Sequence, residues 1–268
     1  MKTIFYSVIK KGMIYILEIN KIYNQDCLEG MKYIDDKSID MILCDLPYGT
    51  TASNWDKIIK FDNLWKQYER TIKDNGAIVL FASGSFTHKV IMSNEKLYKY
   101  KWIWIKNGKN NFVNAKNRPM TQFEEILVFS KGNTANGSKN KMIYYPQGLI
   151  DINQTQNVKG DNFGSVAGKR KSHKDFFITE KGGYPNDVLF FDAKAKMGRL
   201  HPNEKPIDLC EYLIKTYTNE NELVLDNCMG SGTTAIACMN TNRNYIGFEL
   251  DDTYYKLAIE RINNIKIQ

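Results

Sequence analysis

Acidic residues that close apolar runs are the first candidates for chemistry in this chain. Asp45 follows Ile39-Asp-Met-Ile-Leu-Cys44 and opens Asp45-Leu-Pro-Tyr48; Asp226 follows Leu223-Val-Leu225 and opens Asp226-Asn-Cys-Met-Gly-Ser-Gly-Thr-Thr234; Glu249 follows Asn244-Tyr-Ile-Gly-Phe248 and precedes Leu250. Open α/β sheets bind ligands outside the carboxyl ends of their strands, so an acid at such an end faces a ligand. Gly230 and Gly232 allow a tight turn and close backbone approach, and Ser231, Thr233 and Thr234 are available to cap the helix that follows. Glu249 falls about 20 residues after the glycines, where a βαβ unit places its ribose-binding acid. The stretch reads as a nucleotide-type cofactor site, although a strand followed by Gly-x-Gly is often only a tight turn. It lacks the G-x-G-x-x-G of dinucleotide enzymes and any Gly-Lys-Ser/Thr, which argues against NAD and against ATP hydrolysis.

The elements that must position these residues alternate. Asn20 to Asp26 reads as a strand and Cys27 to Tyr33 as a short helix; Ile39 to Cys44 is a strand, Asp62 caps a helix reaching Ile72, and Gly76 to Ala82 is a buried strand. A helix over Ser85 to Met92, strands at Tyr100 to Ile105, Glu125 to Phe129 and Asp187 to Phe191, and a helix over Ile207 to Tyr217 continue the series. This predicts an α/β fold with a mostly parallel sheet and helices on both faces. Between Gly132 and Pro185 the periodicity disappears, over a length too great for an ordinary connection. The expected division is therefore 1–18 as a leader or edge strand, 19–131 and 186–268 as two halves of one domain, and 132–185 as an insertion; Met13 is an alternative start.

Composition excludes several classes. With 268 residues, 43% of them hydrophobic, the chain can bury a sizeable core. No signal segment and no apolar run long enough to span a membrane is present, which predicts a cytoplasmic protein without membrane partners. Five scattered cysteines without a C-x-x-C pair predict reduced, packed thiols, and neither they nor the three histidines have metal-ligand spacing, so no metal is expected. The net charge of +7 favours a polyanion modestly; from Lys131 to Lys181 basic residues outnumber acidic ones nine to four, with Lys169-Arg-Lys171 at their centre.

Taken together and in this order, Asp45-Leu-Pro-Tyr48 and Asp226-Asn-Cys-Met-Gly-Ser-Gly-Thr-Thr234 resemble the amino-methyltransferases of DNA, and the catalytic tetrapeptide preceding the cofactor motif resembles their β class. An isolated Asp-x-Pro-Tyr is more often a turn after a strand; the combination is what carries the resemblance. It implies a Rossmann-like methyltransferase fold with an inserted target-recognition segment, S-adenosylmethionine as cofactor, and duplex DNA as partner. An exocyclic amine on a base is a poor nucleophile because its lone pair is delocalised into the ring. The Asp45 carboxylate and the Leu46 carbonyl would accept its hydrogens, Pro47 would fix that carbonyl, and Tyr48 would stack on an extruded base. The family most often has Pro at the second catalytic position, where this chain has Leu46, and often Pro-Phe after the strand-ending Asp, where it has Asn227 and Cys228.

The resemblance assigns Asp226, Cys228, Gly230, Ser231, Gly232, Thr233, Thr234, Glu249 and Leu250 to the cofactor, with Asp26 and Cys27 near its adenine. Lys205, in His201-Pro-Asn-Glu-Lys-Pro206, would help to seat its methionine carboxylate. A helix cap is the plainer reading of Asp26, and a proline-bounded helix entry that of the turn at Lys205. Lys169, Arg170, Lys171 and Arg118 would contact DNA, and Asn110-Asn-Phe112 could approach the opened helix. Asp at the first catalytic position goes mostly with adenine N6, which is the expected target; cytosine N4 and RNA are the alternatives. A binding module that keeps the fold only as a scaffold is the competing class, and intact Asp45, Pro47 and Tyr48 argue against it. The resemblance leaves open a homodimer and a cognate restriction endonuclease, and it fits a bacterial or phage origin.

Overall fold

The computed structural model describes residues 5–10, 13–49, 56–157, 176–192 and 204–266. In chain order the strands are β1 (Phe5–Lys10), β2 (Met13–Glu18), β3 (Lys21–Asn24), β4 (Ile39–Cys44), β5 (Ile72–Ala82), β6 (Tyr98–Asn110), β7 (Thr121–Phe129), β8 (Ile150–Asn157), β9 (Phe176–Gly182), β10 (Val188–Phe190), β11 (Leu223–Asp226) and β12 (Asn244–Glu249). The helices are α1 (Cys27–Gly30), α2 (Phe61–Thr71), α3 (Ser85–Ser93), α4 (Ile207–Tyr217), α5 (Thr233–Asn240) and α6 (Asp252–Lys266). Two compact units result, one formed by Met1–Tyr145 with Asp187–Gln268 and one by Pro146–Asn186.

Among the described residues the first unit holds an eight-stranded sheet in the order β10-β6-β7-β5-β4-β11-β12-β3. Every neighbouring pair is parallel except the two made by β7. The exception has a physical cause: a parallel return needs a crossover of a dozen or more residues, whereas β6 and β7 are joined by the short stretch between Asn110 and Thr121. The strand side-chain period of two separates the core into two faces. Met41 and Leu43 point into a cluster with Leu209, Leu213 and Tyr217 of α4, Ala235 to Cys238 of α5 and Ala258 of α6. Ile42 and Cys44 point the other way, onto Leu64, Trp65 and Tyr68 of α2 and Phe86 and Val90 of α3. The fully buried strand β4 at the centre is thus covered on both sides, as its apolar run Met41 to Cys44 requires.

Buried polar groups are bound within this core. The Tyr217 hydroxyl lies 2.7 Å from Trp102 Nε1 and 3.0 Å from the Tyr100 hydroxyl, and Asp40 accepts from Leu223 N–H at 3.0 Å while pairing with Lys73 at 2.5 Å. Lys60, with no side-chain hydrogen bond, stands at the N-cap of α2; Asp62, expected to cap it, lies in the first turn, where its charge favours the helix end. Residues 132–145 belong to the first unit, fastened by Ile143 N–H to Asn75 O at 3.0 Å and Tyr145 N–H to Thr216 O at 2.7 Å. The second unit pairs β8 with β9 antiparallel, in a segment whose sequence reads as irregular; its polar residues hide the strand period. At the N-terminus β1 and β2 form an antiparallel pair. Among the described residues no helix is long and apolar enough to cross a membrane.

Candidate functional site

Because β4, β11, β12 and β3 are parallel neighbours, Asp45, Asp226, Glu249 and Asp26 all emerge at one edge of the sheet. The turn after β11 is pinned to β12 by Met229 N–H to Phe248 O at 2.9 Å and by Gly230 N–H to Glu249 Oε2 at 2.7 Å. Glu249 Oε1 accepts from Asp251 N–H at 2.8 Å, and burial raises the pKa of its carboxyl. Gly230 and Gly232 have φ of 55° and 84°, where side chains are strained, and a Cβ on Gly232 would lie 3.1 Å from that of Ala258. The sequence therefore needs glycine there both for the turn and for the approach of α6.

The hydroxyls do not cap α5 as expected. Gly232 occupies the N-cap without a side-chain hydrogen bond. Ser231 Oγ is taken by Arg261 Nη1 at 2.9 Å, and Thr234 bonds to Asp226. Thr233 Oγ1 is buried with no hydrogen-bond partner among the described residues. Asp226 is itself buried, which pushes its carboxyl up to about 7 despite the Thr234 hydroxyl and the Cys228 N–H at 3.0 Å. Asp26 does cap a helix: Oδ1 accepts from Leu28 and Glu29 N–H at 2.8 and 3.1 Å. Leu250, beside Glu249, is 68% exposed, an apolar side chain free to cover a flat ligand.

Under the turn, the buried Asn227 amide joins thiols that the sequence scatters. Its Nδ2 lies 3.6 Å from Cys27 Sγ and 3.4 Å from Cys228 Sγ, while its Oδ1 accepts from the Tyr68 hydroxyl at 2.5 Å. Cys44 approaches the same group, and burial pushes its thiol up to about 12. Asn227 thus fills the family's proline position with a side chain whose polar atoms are bonded internally.

At the end of β4 the tetrapeptide meets residues from two other elements. Tyr48 stacks on Phe86 with ring centroids 4.6 Å apart and donates its hydroxyl to Asp45 Oδ1 at 2.9 Å. Leu46 is buried and Asp45 part-exposed. Lys205 Nζ lies 2.5 Å from Asp45 Oδ2, 3.4 Å from Glu124 Oε2 and 5.0 Å from the Phe81 ring centroid. Burial alone would lower the Lys205 pKa, but Asp45 and Glu124 more than reverse this and raise it. Glu124 is likewise opposed by burial and held below its ordinary value by Lys205 and by Lys106, which bonds to its other oxygen. The resemblance gives Lys205 a carboxylate partner on the cofactor; in the structure its partners are the chain's own carboxylates, because β4 and β7 bring both within reach of one ammonium. Glu124 and Lys106 were not singled out by the sequence, since an acid in a strand carries no local mark of burial.

Arg118 is exposed in the β6–β7 connection, apart from this cluster. Lys169, Arg170, Lys171 and His201 to Asn203 lie outside the described residues.

The chain is similar to known proteins in sequence and fold. The type II methyltransferase M1.MboII of Moraxella bovis is 29% identical over 272 residues, covering 94% of this chain and all of that protein. The orphan methyltransferase M.BamHII of Bacillus amyloliquefaciens is 27% identical, covering 86% of this chain and 91% of that protein. Among solved structures, that of the M1.HpyAVI–SAM complex superposes with a TM-score of 0.61 at 26% identity, covering 91% of this chain and 98% of that one. The cytosine-N4-specific PvuII DNA methyltransferase shares the fold, with a TM-score of 0.62 at 16% identity, covering 91% of this chain and 90% of that one. The family model for DNA methylases of the N6/N4 type matches residues 39–260, from the first residue of β4 into α6. On that match, which takes in the tetrapeptide and the Gly-Ser-Gly turn alike, the protein belongs to this family of DNA methylases.

Proposed function

We propose that the protein transfers a methyl group from S-adenosylmethionine to the N6 amine of an adenine turned out of duplex DNA. The observation that carries the reading is Asp45 held between Tyr48 and Lys205, on the sheet edge that also bears the Gly-Ser-Gly turn. The residues of that turn fit the cofactor. Among the described residues Thr233 Oγ1 is a buried hydroxyl without a partner and α5 begins without a side-chain cap, and Glu249 stands at the next strand end. Glu249 would take the ribose hydroxyls, Leu250 would cover the adenine, and Thr233 with the α5 N-terminus would receive a polar end of the cofactor. S-adenosylmethionine supplies an electrophilic methyl group on a sulfonium.

Everything else in the reaction falls to the chain. A carboxylate offers about four lone-pair sites. Tyr48 and Lys205 use one on each oxygen and fix the plane of Asp45, which leaves sites for the hydrogens of the amine. Asp45 and the Leu46 carbonyl draw electron density onto the nitrogen as it attacks, and the proton it sheds leaves through Asp45. Tyr48, backed by Phe86 on one face, keeps the other for the base. Positioning and charge placement carry the rate, without a covalent intermediate.

The test is to incubate the protein with unmethylated duplex DNA and labelled S-adenosylmethionine, digest the DNA and identify the labelled nucleoside. N6-methyladenosine is expected; label on cytosine would overturn the target base, and no label would overturn the transfer reading. We propose further that Lys169-Arg-Lys171 contacts phosphates, so affinity should fall as salt rises from about 50 to 200 mM.

A further inference from the structure

The connection between β6 and β7 ends in an apolar tip. Phe112 is 80% exposed and Val113 92%, side by side in a single 3₁₀ turn, Phe112–Asn114. The turn is closed by its own backbone: Asn114 N–H bonds to Asn111 O at 3.1 Å, Ala115 N–H to Phe112 O at 3.0 Å and Arg118 N–H to Asn114 O at 3.0 Å. Asn111, with φ of 68°, starts it and reaches Thr121 Oγ1 at 3.1 Å. The two side chains are therefore held outward by a formed turn. A single exposed apolar residue needs no explanation, but an adjacent aromatic and β-branched pair at a protruding tip does.

Two further observations name the occupant. From Asn107 to Phe123 the chain carries Lys109, Lys116 and Arg118 and no acid, so the connection itself is cationic; Asp192 meets it at its root, accepting from Asn107 Nδ2 at 2.5 Å. The strand β6 runs parallel to β5 and β4, and the tip therefore projects from the sheet edge that bears Asp45. Lys106, the β6 residue bonded to Glu124 and so tied to Lys205 and Asp45, stands six residues before Phe112. At about 3.3 Å per residue the tip reaches at most ~20 Å from that cluster, the scale on which a protein crosses a groove and meets the base stack.

Resting on the methylation reading above, we infer that Phe112, supported by Val113, enters the duplex where the target base leaves it and fills the vacated stack. Apolar side chains that unstack a base step act as such wedges, and a phenyl ring restores part of the lost stacking. Lys109, Lys116 and Arg118 hold the flanking phosphates, which positions the tip without reading sequence. The base on Tyr48 and the ring in the stack are then two ends of one extrusion step.

The test compares the wild type with Phe112→Ala and Phe112→Trp on two duplexes carrying a methylation site mapped beforehand on unmethylated plasmid DNA. In one the target base is normally paired; in the other it faces an abasic position, so that little pairing opposes its exit. Phe112→Ala should lower kcat/KM on the paired duplex roughly 10–100-fold, the loss of about one stacking contact, and should approach the wild type on the abasic duplex. Phe112→Trp should keep most activity on both. An unchanged kcat/KM on the paired duplex would overturn the wedge, as would an equal loss on both duplexes. If the wild type leaves no methylated site to map on the plasmid, the methylation reading falls, and the wedge with it. Phe112 is 80% exposed, so folding does not confound the comparison.

Discussion

Replacing Glu124 with Gln keeps the shape of the buried cluster and removes one charge. In the protein that charge stands 3.4 Å from Lys205 Nζ, both groups being largely withdrawn from solvent. At an effective dielectric constant near 20 the gross attraction is about 5 kcal/mol, and desolvation of the two groups offsets much of it. What remains is of the order of a hydrogen bond to a charged partner, about 1.5–3 kcal/mol. Once Glu124 is neutral, the Lys205 ammonium acts on Asp45 alone and draws down the electron density that the amine requires. If that net energy is lost in the transition state, single-turnover methyl transfer at saturating cofactor slows about 10–100-fold. Cofactor and DNA affinities should stay as they are, because Glu124 touches neither the Gly-Ser-Gly turn nor the exposed surface. A Glu124→Gln variant with a lower Tm and an unchanged transfer rate would refute the reasoning and leave Glu124 as scaffolding.

Thr233→Val removes a buried hydroxyl that has no partner among the described residues. The ligand-free protein should be as stable as the wild type or up to about 1 kcal/mol more so, while calorimetry should show S-adenosylmethionine binding weakened about 10-fold; unchanged affinity would free Thr233 from the cofactor. Gly232→Ala forces a positive φ on a residue with a Cβ and crowds Ala258, which should cost about 1–2 kcal/mol in thermal unfolding and weaken the cofactor as well. Asp226 has a folded pKa raised to about 7, against about 4 unfolded. The folded state therefore holds the proton more tightly, and the stability contributed by this group is fully present below about pH 4 and lost as pH rises through 7. The difference in Tm between Asp226→Asn and the wild type should accordingly grow across that interval; a difference independent of pH would contradict it.

The sheet was legible because burial on both faces leaves apolar runs, as in Met41 to Cys44, and the acids that end those runs are visible without any structure. The Gly-Ser-Gly turn was legible because its glycines are required by backbone geometry. Lys205 stood out through its motif, yet its partners in the structure did not. Glu124 lies 81 positions from it in a strand where acid and apolar residues mix, and only the antiparallel placement of β7 brings the two together. The grouping of Cys27, Cys44 and Cys228 escaped for the same reason, since sheet order and not spacing assembles it. Helix caps were misjudged where tertiary partners claim the hydroxyl first, as Arg261 claims Ser231.

That guanidinium has a wider consequence. Arg261 of α6 grips Ser231 through Nη1, at the carbonyl at 2.7 Å and at Oγ, and through Nη2 pairs with Glu204 at 2.5 Å, the residue preceding Lys205. One planar fork therefore spans the glycine turn and the segment that holds Asp45, so ordering either favours ordering the other. A ligand that settles the turn lowers the cost of settling the carboxylate, and a base seated on the carboxylate does the same for the turn. Thermodynamic linkage makes the effect reciprocal: by whatever factor the cofactor tightens DNA, DNA tightens the cofactor. Cutting the fork at Arg261 would leave two sites that bind independently.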